Sequence, residues 1–129
     1  VPALHGPPGI ERLVGEVTGF VLEAEHEPTV YVSGDNASIP LVEQIAGRFP
    51  MIEIAILFAG AARVPEIDAA LTLTSPDAAR AAIMLGARKV VGIHTEDWEH
   101  FSESRAQLEA AFADGGLLVE TPRGVTVAL

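Results

Sequence analysis

Ile52 to Phe58 form a nearly continuous apolar run, broken only by Glu53. A run this short and this apolar reads as a strand buried on both faces, which requires a sheet with other layers packed against it. The run leads into Ala59-Gly60-Ala61-Ala62-Arg63-Val64-Pro65, a loop of small residues. Further on, Lys89 to Ile93 gives a second short buried strand, with His94 at its C-terminal edge. Between the two, Thr74-Ser75-Pro76-Asp77 is a helix start. Ser75 is the expected N-cap, Pro76 the first helical residue and Gly86 the stop, with Ala78, Ala82, Ile83 and Leu85 along the way.

The flanks extend this pattern. Val17 to Leu22 and Thr29 to Val32 are β-prone and joined by a polar connector, which predicts a hairpin ending in the turn Ser33-Gly34-Asp35-Asn36. Ser38-Ile39-Pro40 predicts the N-terminus of a helix that carries Leu41, Val42, Ile45 and Ala46 on one stripe and stops at Gly47. A third helix is expected from about Ser102 to Ala113, and two last strands at Leu117 to Val119 and Val125 to Val127. The class is α/β, a sheet in the middle of the chain covered by helices on one face.

The 129 residues make one domain's worth of chain. A hydrophobic fraction of 49% against 20% charged residues is rich for an isolated soluble domain, so some apolar surface is expected to face a partner. Eighteen acidic against eight basic residues give a net charge of −10, which opposes nucleic acid as a partner. With no cysteine, histidine and carboxylate are the candidate metal ligands. No segment reaches the ~18 uninterrupted apolar residues of a membrane span, so no membrane role and a cytoplasmic location are the expectations. The opening Val1-Pro2-Ala3-Leu4-His5-Gly6-Pro7-Pro8 is loop-like, as in a piece of a longer domain.

In α/β sheets, ligands bind outside the carboxyl ends of strands. Asp35 and His94 both follow strands, so they are placed to converge although far apart in sequence. A carboxylate bridges two divalent cations and a neutral imidazole is the commonest nitrogen ligand, which suits Zn²⁺, Mn²⁺ or Fe. The plain alternatives are a turn-forming Asp in Gly-Asp-Asn and a structural, hydrogen-bonded His. His26, in the charged connector, reads as solvated. Trp98 and His100 follow His94 closely enough to line a pocket mouth, and Arg63 is placed to meet an anionic group; packing and solvent exposure are the alternatives for these three.

The segments Pro2 to Pro7, Gly15-Glu16-Val17-Thr18-Gly19-Phe20, Val30-Tyr31-Val32-Ser33-Gly34-Asp35-Asn36, Gly92-Ile93-His94 and Trp98-Glu99-His100-Phe101 keep an order that is familiar. Together they resemble the C-terminal half of metallo-β-lactamase-fold hydrolases, with the branch of ascorbate-6-phosphate lactonase the most alike. The resemblance implies one half of an αββα sandwich. It also implies His5 as ligand of a first metal ion, Asp35 as the bridging and catalytic carboxylate, and His94 as ligand of a second. Zinc or manganese would be the ions. The family's His-x-His-x-Asp-His motif is absent from this sequence.

The implied chemistry is hydrolysis of a small-molecule lactone, ester or phosphoester by metal-activated water, with the chain inactive until its N-terminal half is supplied. A different class is a non-catalytic α/β module that homodimerises through an uncovered sheet face. A nucleotide-binding domain finds no support, because no glycine-rich phosphate loop is present.

Overall fold

A computed structural model describes residues 1–113 and 115–129. Its elements run α1 (Glu11–Val14), β1 (Phe20–Leu22), β2 (Val30–Val32), α2 (Ile39–Arg48), β3 (Ile54–Phe58), α3 (Ser75–Leu85), β4 (Lys89–Ile93) and α4 (Arg105–Ala111). The strands form one mixed sheet in the order β1-β2-β3-β4. The β1–β2 hairpin is antiparallel, pairing Phe20 with Val32, whereas β2–β3 and β3–β4 are parallel. Each parallel pair is joined by a helical crossover, α2 or α3, as parallel pairing demands. All three parallel strands therefore end at the same edge.

Register explains the two faces of the sheet. Side chains alternate along a strand, so Tyr31, Ala55 and Val90, aligned across β2, β3 and β4, share one face with Leu57. These four are buried in the core against Val42 and Ile45 of α2, Ala78, Ala81, Ala82 and Leu85 of α3, and Leu108 of α4. Full burial of a side chain such as Leu57 contributes about 2 kcal/mol. Gly92 carries no side chain because Leu108 packs where its Cβ would lie.

The opposite face has no such cover. It presents Phe20 and Leu22, each 54% exposed, with Val30, Val32, Ile56, Phe58, Val91 and Ile93 half-buried. An apolar, partly solvated sheet face is the surface the hydrophobic composition implied.

Local signals set most boundaries. The Ser38 hydroxyl accepts from the Leu41 amide at the start of α2, with Pro40 in the first turn. At α3 the cap is Thr74, not Ser75. The Thr74 hydroxyl accepts from the Asp77 amide and Ser75 is the first helical residue, while Gly86 closes the helix in a left-handed conformation. The third predicted helix is shorter than expected, because Ser104 and Gln107 form a reciprocal capping box that starts α4 at Arg105.

Two expectations fail. The terminal runs at Leu117 and Val125 do not pair as strands; Leu118 makes only an isolated parallel bridge to Val90, and residues 125–127 belong to no element. This tail is held by backbone bonds of Leu117 and Val119 to Val90, by the Arg105 guanidinium, which donates to the carbonyls of Gly92 and Val119 and to the Thr121 hydroxyl, and by Arg123, which pairs with Asp97 and Glu96. The helical turn α1 was not anticipated. It is only four residues long and buries no side chain, so it leaves no periodic signal.

Candidate functional site

The shared strand edge builds the site. Asp35 lies three residues beyond β2 and His94 immediately beyond β4, with β3 between them. Two strand spacings separate β2 from β4, roughly 10 Å, so the two side chains meet only by reaching across the end of β3. The β3 chain continues there as Ala59-Gly60-Ala61, whose small side chains leave the gap open. A Cβ at Gly60 would overlap the His94 carbonyl oxygen. Ala61 and His94 themselves adopt positive φ, 45° and 62°, a conformation that costs a non-glycine residue roughly 1 kcal/mol or more and recurs at functional sites.

Asp35 Oδ1 and His94 Nδ1 stand 3.5 Å apart. Each atom is buried and neither has a hydrogen-bond partner. Buried polar atoms are nearly always paired, since an unsatisfied one costs about 1–3 kcal/mol. The His94 ring is held between Phe58 and Phe101, with centroids at 5.1 and 4.2 Å. Burial pushes the His94 pKa down; the Asp35 carboxylate acts in the other direction, and His100 and His5 reinforce the depression. The imidazole is accordingly held neutral, the form in which a ring nitrogen offers a lone pair.

His5 reaches the same place from the N-terminal loop. Its Nδ1 lies 3.2 Å from the Val14 carbonyl oxygen, and a carbonyl only accepts, so Nδ1 donates there, the arrangement that in a neutral ring leaves the lone pair on Nε2. A backbone carbonyl on one nitrogen is the usual way a metal-binding imidazole is oriented. The loop is fixed by Asn36, whose side-chain oxygen accepts from the amides of Leu4 and Ser38 while its nitrogen donates to the Ser38 carbonyl. Ala37 returns a backbone hydrogen bond to the Leu4 carbonyl. Fully buried Ser33 accepts from the Phe58 amide, tying the Asp35 turn to β3.

His5, Asp35, His94 and His100 line one cavity of about 570 Å³. No group of three or more His, Asp or Glu side chains capable of holding a metal ion occurs among the described residues. The structure thus brings the three expected ligands to one cavity without closing a ligand shell. The donor set nevertheless suits a divalent cation. Two donors sharing a tetrahedral zinc ion at ~2.1 Å lie roughly 3.4 Å apart, close to the separation of the two orphaned atoms.

Of the other expected site residues, His100 lines the cavity, but Arg63 and Trp98 do not. The Arg63 side chain is exposed and only its backbone is engaged, the amide donating to the His100 carbonyl. Trp98 is 66% exposed and packs beside the His100 ring at 5.8 Å. His26 is solvated, as expected, beside Glu25. Asn36, Ser33 and Phe101 were missed as site residues. The Asn-x-Ser spacing after a strand was a legible signal for the first; Ser33 and Phe101 depend on contacts far apart in sequence.

Among the described residues no helix is long and apolar enough to cross a membrane. A family model for the beta-lactamase superfamily domain matches residues 1–95. No curated protein matches the chain. Among solved structures, an isothiocyanate hydrolase from Delia radicum gut bacteria is similar at 25% identity and a TM-score of 0.85, over 98% of this chain and 51% of that one. A possible metal-dependent hydrolase from Veillonella parvula DSM 2008 has 23% identity and a TM-score of 0.87, over 99% and 52%. The chain thus spans about half the length of the solved structures it matches. With one mixed sheet, its helices on one face and that family match, the chain belongs to the beta-lactamase superfamily and has the metallo-β-lactamase type of α/β fold.

Proposed function

We propose that this chain contributes His5, Asp35 and His94 to the metal centre of a hydrolase whose remaining ligands come from other polypeptide. The reading is carried by one observation: Asp35 Oδ1 and His94 Nδ1 face each other at 3.5 Å, buried and without partners. The name of the Veillonella relative, a possible metal-dependent hydrolase, supports a divalent cation, with zinc or manganese the ions that suit imidazole and carboxylate. When bound, such a cation supplies a water of lowered pKa as nucleophile. Asp35 Oδ1, His94 Nδ1 and His5 Nε2 would hold the cation, Asp35 would orient that water, and His100 would face the substrate from the cavity lining.

The substrate in this reading is a small electrophile: an ester, lactone or phosphoester, or an isothiocyanate as in the name of the relative from Delia radicum gut bacteria. The partner is the polypeptide that covers the apolar sheet face, an N-terminal half of the same protein. The 129 residues are then one partial domain rather than a complete one. The exposure of Phe20 and Leu22 favours a second reading as well, in which two copies pair through this face without catalysis.

The test is turnover of a lactone and a phosphodiester with Zn²⁺ or Mn²⁺ present. The isolated chain is expected to be inactive. Its complex with a polypeptide carrying His-x-His-x-Asp-His should turn over, and Asp35→Asn should lower that rate by at least 100-fold. Metal-dependent turnover by the isolated chain would defeat the proposal, as would an Asp35→Asn complex of full activity.

A further inference from the structure

The cavity that the candidate ligands share has a lining of definite chemical character. Leu13, Val14, Val64, Ile67 and Leu71 line it, and the charges that join them are the carboxylates of Asp35 and Glu66. No lysine or arginine among the described residues lines it. Leu13 is 77% exposed, a large apolar side chain at the rim with no core to serve. The wall is also preformed. Leu71 donates to the Ala62 carbonyl and Ala61 to the Leu73 carbonyl, closing the base of the loop, while Ile67 donates to the Val64 carbonyl within it.

From this we infer that the site takes an electrophile whose non-reacting part is an uncharged hydrocarbon group, seated on Val14, Val64, Ile67 and Leu71, and that Glu66 disfavours substrates with an anionic tail. The inference rests on the hydrolytic reading for the reacting end of the molecule and adds the specificity of the other end. Apolar walls with few polar groups are what bind a hydrocarbon group, because its burial removes apolar surface from water. A phosphate or carboxylate on the tail finds no lysine or arginine to pair with among the described residues that line the cavity. It would instead meet Glu66 and a chain of net charge −10.

The experiment is heteronuclear NMR of the metal-free complex of this chain with the polypeptide carrying His-x-His-x-Asp-His, titrated with n-hexyl acetate and with 6-acetoxyhexanoate, which differ at the tail end. The expected result is saturable shifts of the Val14, Val64 and Ile67 signals with hexyl acetate and at least tenfold weaker binding of the anionic probe. Ile67→Ser should weaken hexyl acetate at least fivefold, and Glu66→Gln, at an exposed position that does not threaten folding, should narrow the difference between probes. Equal or tighter binding of the anion overturns the inference, as does a lack of saturable shifts at these residues with either probe, or a discrimination that Glu66→Gln leaves unchanged. Binding without metal is independent of turnover, so this outcome is separable from failure of the hydrolytic reading, which the Asp35→Asn rate decides.

Discussion

The side-chain oxygen of Asn36 accepts the amide hydrogen of Leu4 at 3.0 Å, joining two loops 32 residues apart. Together with the Ala37 amide, which donates to the Leu4 carbonyl, this contact holds the His5 loop against the turn that carries Asp35. Asn36 is fully buried, so truncating it strands the Leu4 and Ser38 amides without an acceptor. Asn36→Ala should cost about 2–4 kcal/mol of stability, read by urea denaturation. It should also weaken metal binding more than an equally destabilising core variant such as Leu85→Ala does. Equal metal affinities in the two variants would reduce Asn36 to a packing residue.

Gly60 is required by its close approach to the His94 carbonyl. Gly60→Ala should therefore push the β3 and β4 ends apart and move His94 from Asp35. The expected outcome is a loss of at least 2 kcal/mol, at the high end for one substitution, with a displaced His94 ring signal in NMR spectra. Gly47→Ala, at a position with open space around it in a helix, should by contrast be neutral or mildly stabilising.

Tyr31 gives a pH-dependent prediction. Burial pushes its phenol pKa up to about 12, and its hydroxyl has no hydrogen-bond partner. Because the folded value lies above the unfolded value of ~10, the associated stability is fully present below pH ~10. It is lost as pH rises from there through about 12. As the chain's one tyrosine, it can be followed directly by ultraviolet titration, with ionisation expected near 12 and coupled to unfolding. Tyr31→Phe should remove this alkaline loss and stabilise the protein by about 1 kcal/mol at neutral pH, since the orphaned hydroxyl goes. Ionisation near 10 in the folded protein would contradict the burial.

The uncovered sheet face predicts association. Ile56→Lys places a charge on that face away from the helix-covered core, so the isolated chain should lose little stability while its binding to a covering polypeptide, or to a second copy, is abolished. Sedimentation velocity reads the difference. Unchanged association would move the interface elsewhere.

Much of this was legible in sequence because the signals were local. Short apolar runs and capping signals placed β3, β4, α2 and α3, and two residues just beyond strand ends, Asp35 and His94, meet because parallel strands share an edge. What escaped was decided at a distance. Val125 to Val127 are β-prone but find no partner strand, while the Arg105 guanidinium, through bonds 13 to 16 residues away, ties down the segment before them. Arg63 also follows a strand, β3, yet its side chain turns to solvent, because which way a loop residue points depends on contacts such as its amide bond to the His100 carbonyl. The orphaned state of the Asp35–His94 pair is visible only in three dimensions.

The most direct test of that pair is Mn²⁺ titration of the chain, with paramagnetic broadening of the histidine ring signals as the readout. Broadening should centre on His94 and His5, saturate, leave the solvated His26 sharp, and disappear in Asp35→Asn. Broadening centred on His26 and its neighbouring carboxylates Glu25 and Glu27, or an Asp35→Asn chain that responds like the unaltered one, would contradict the assignment of Asp35 and His94 as metal ligands.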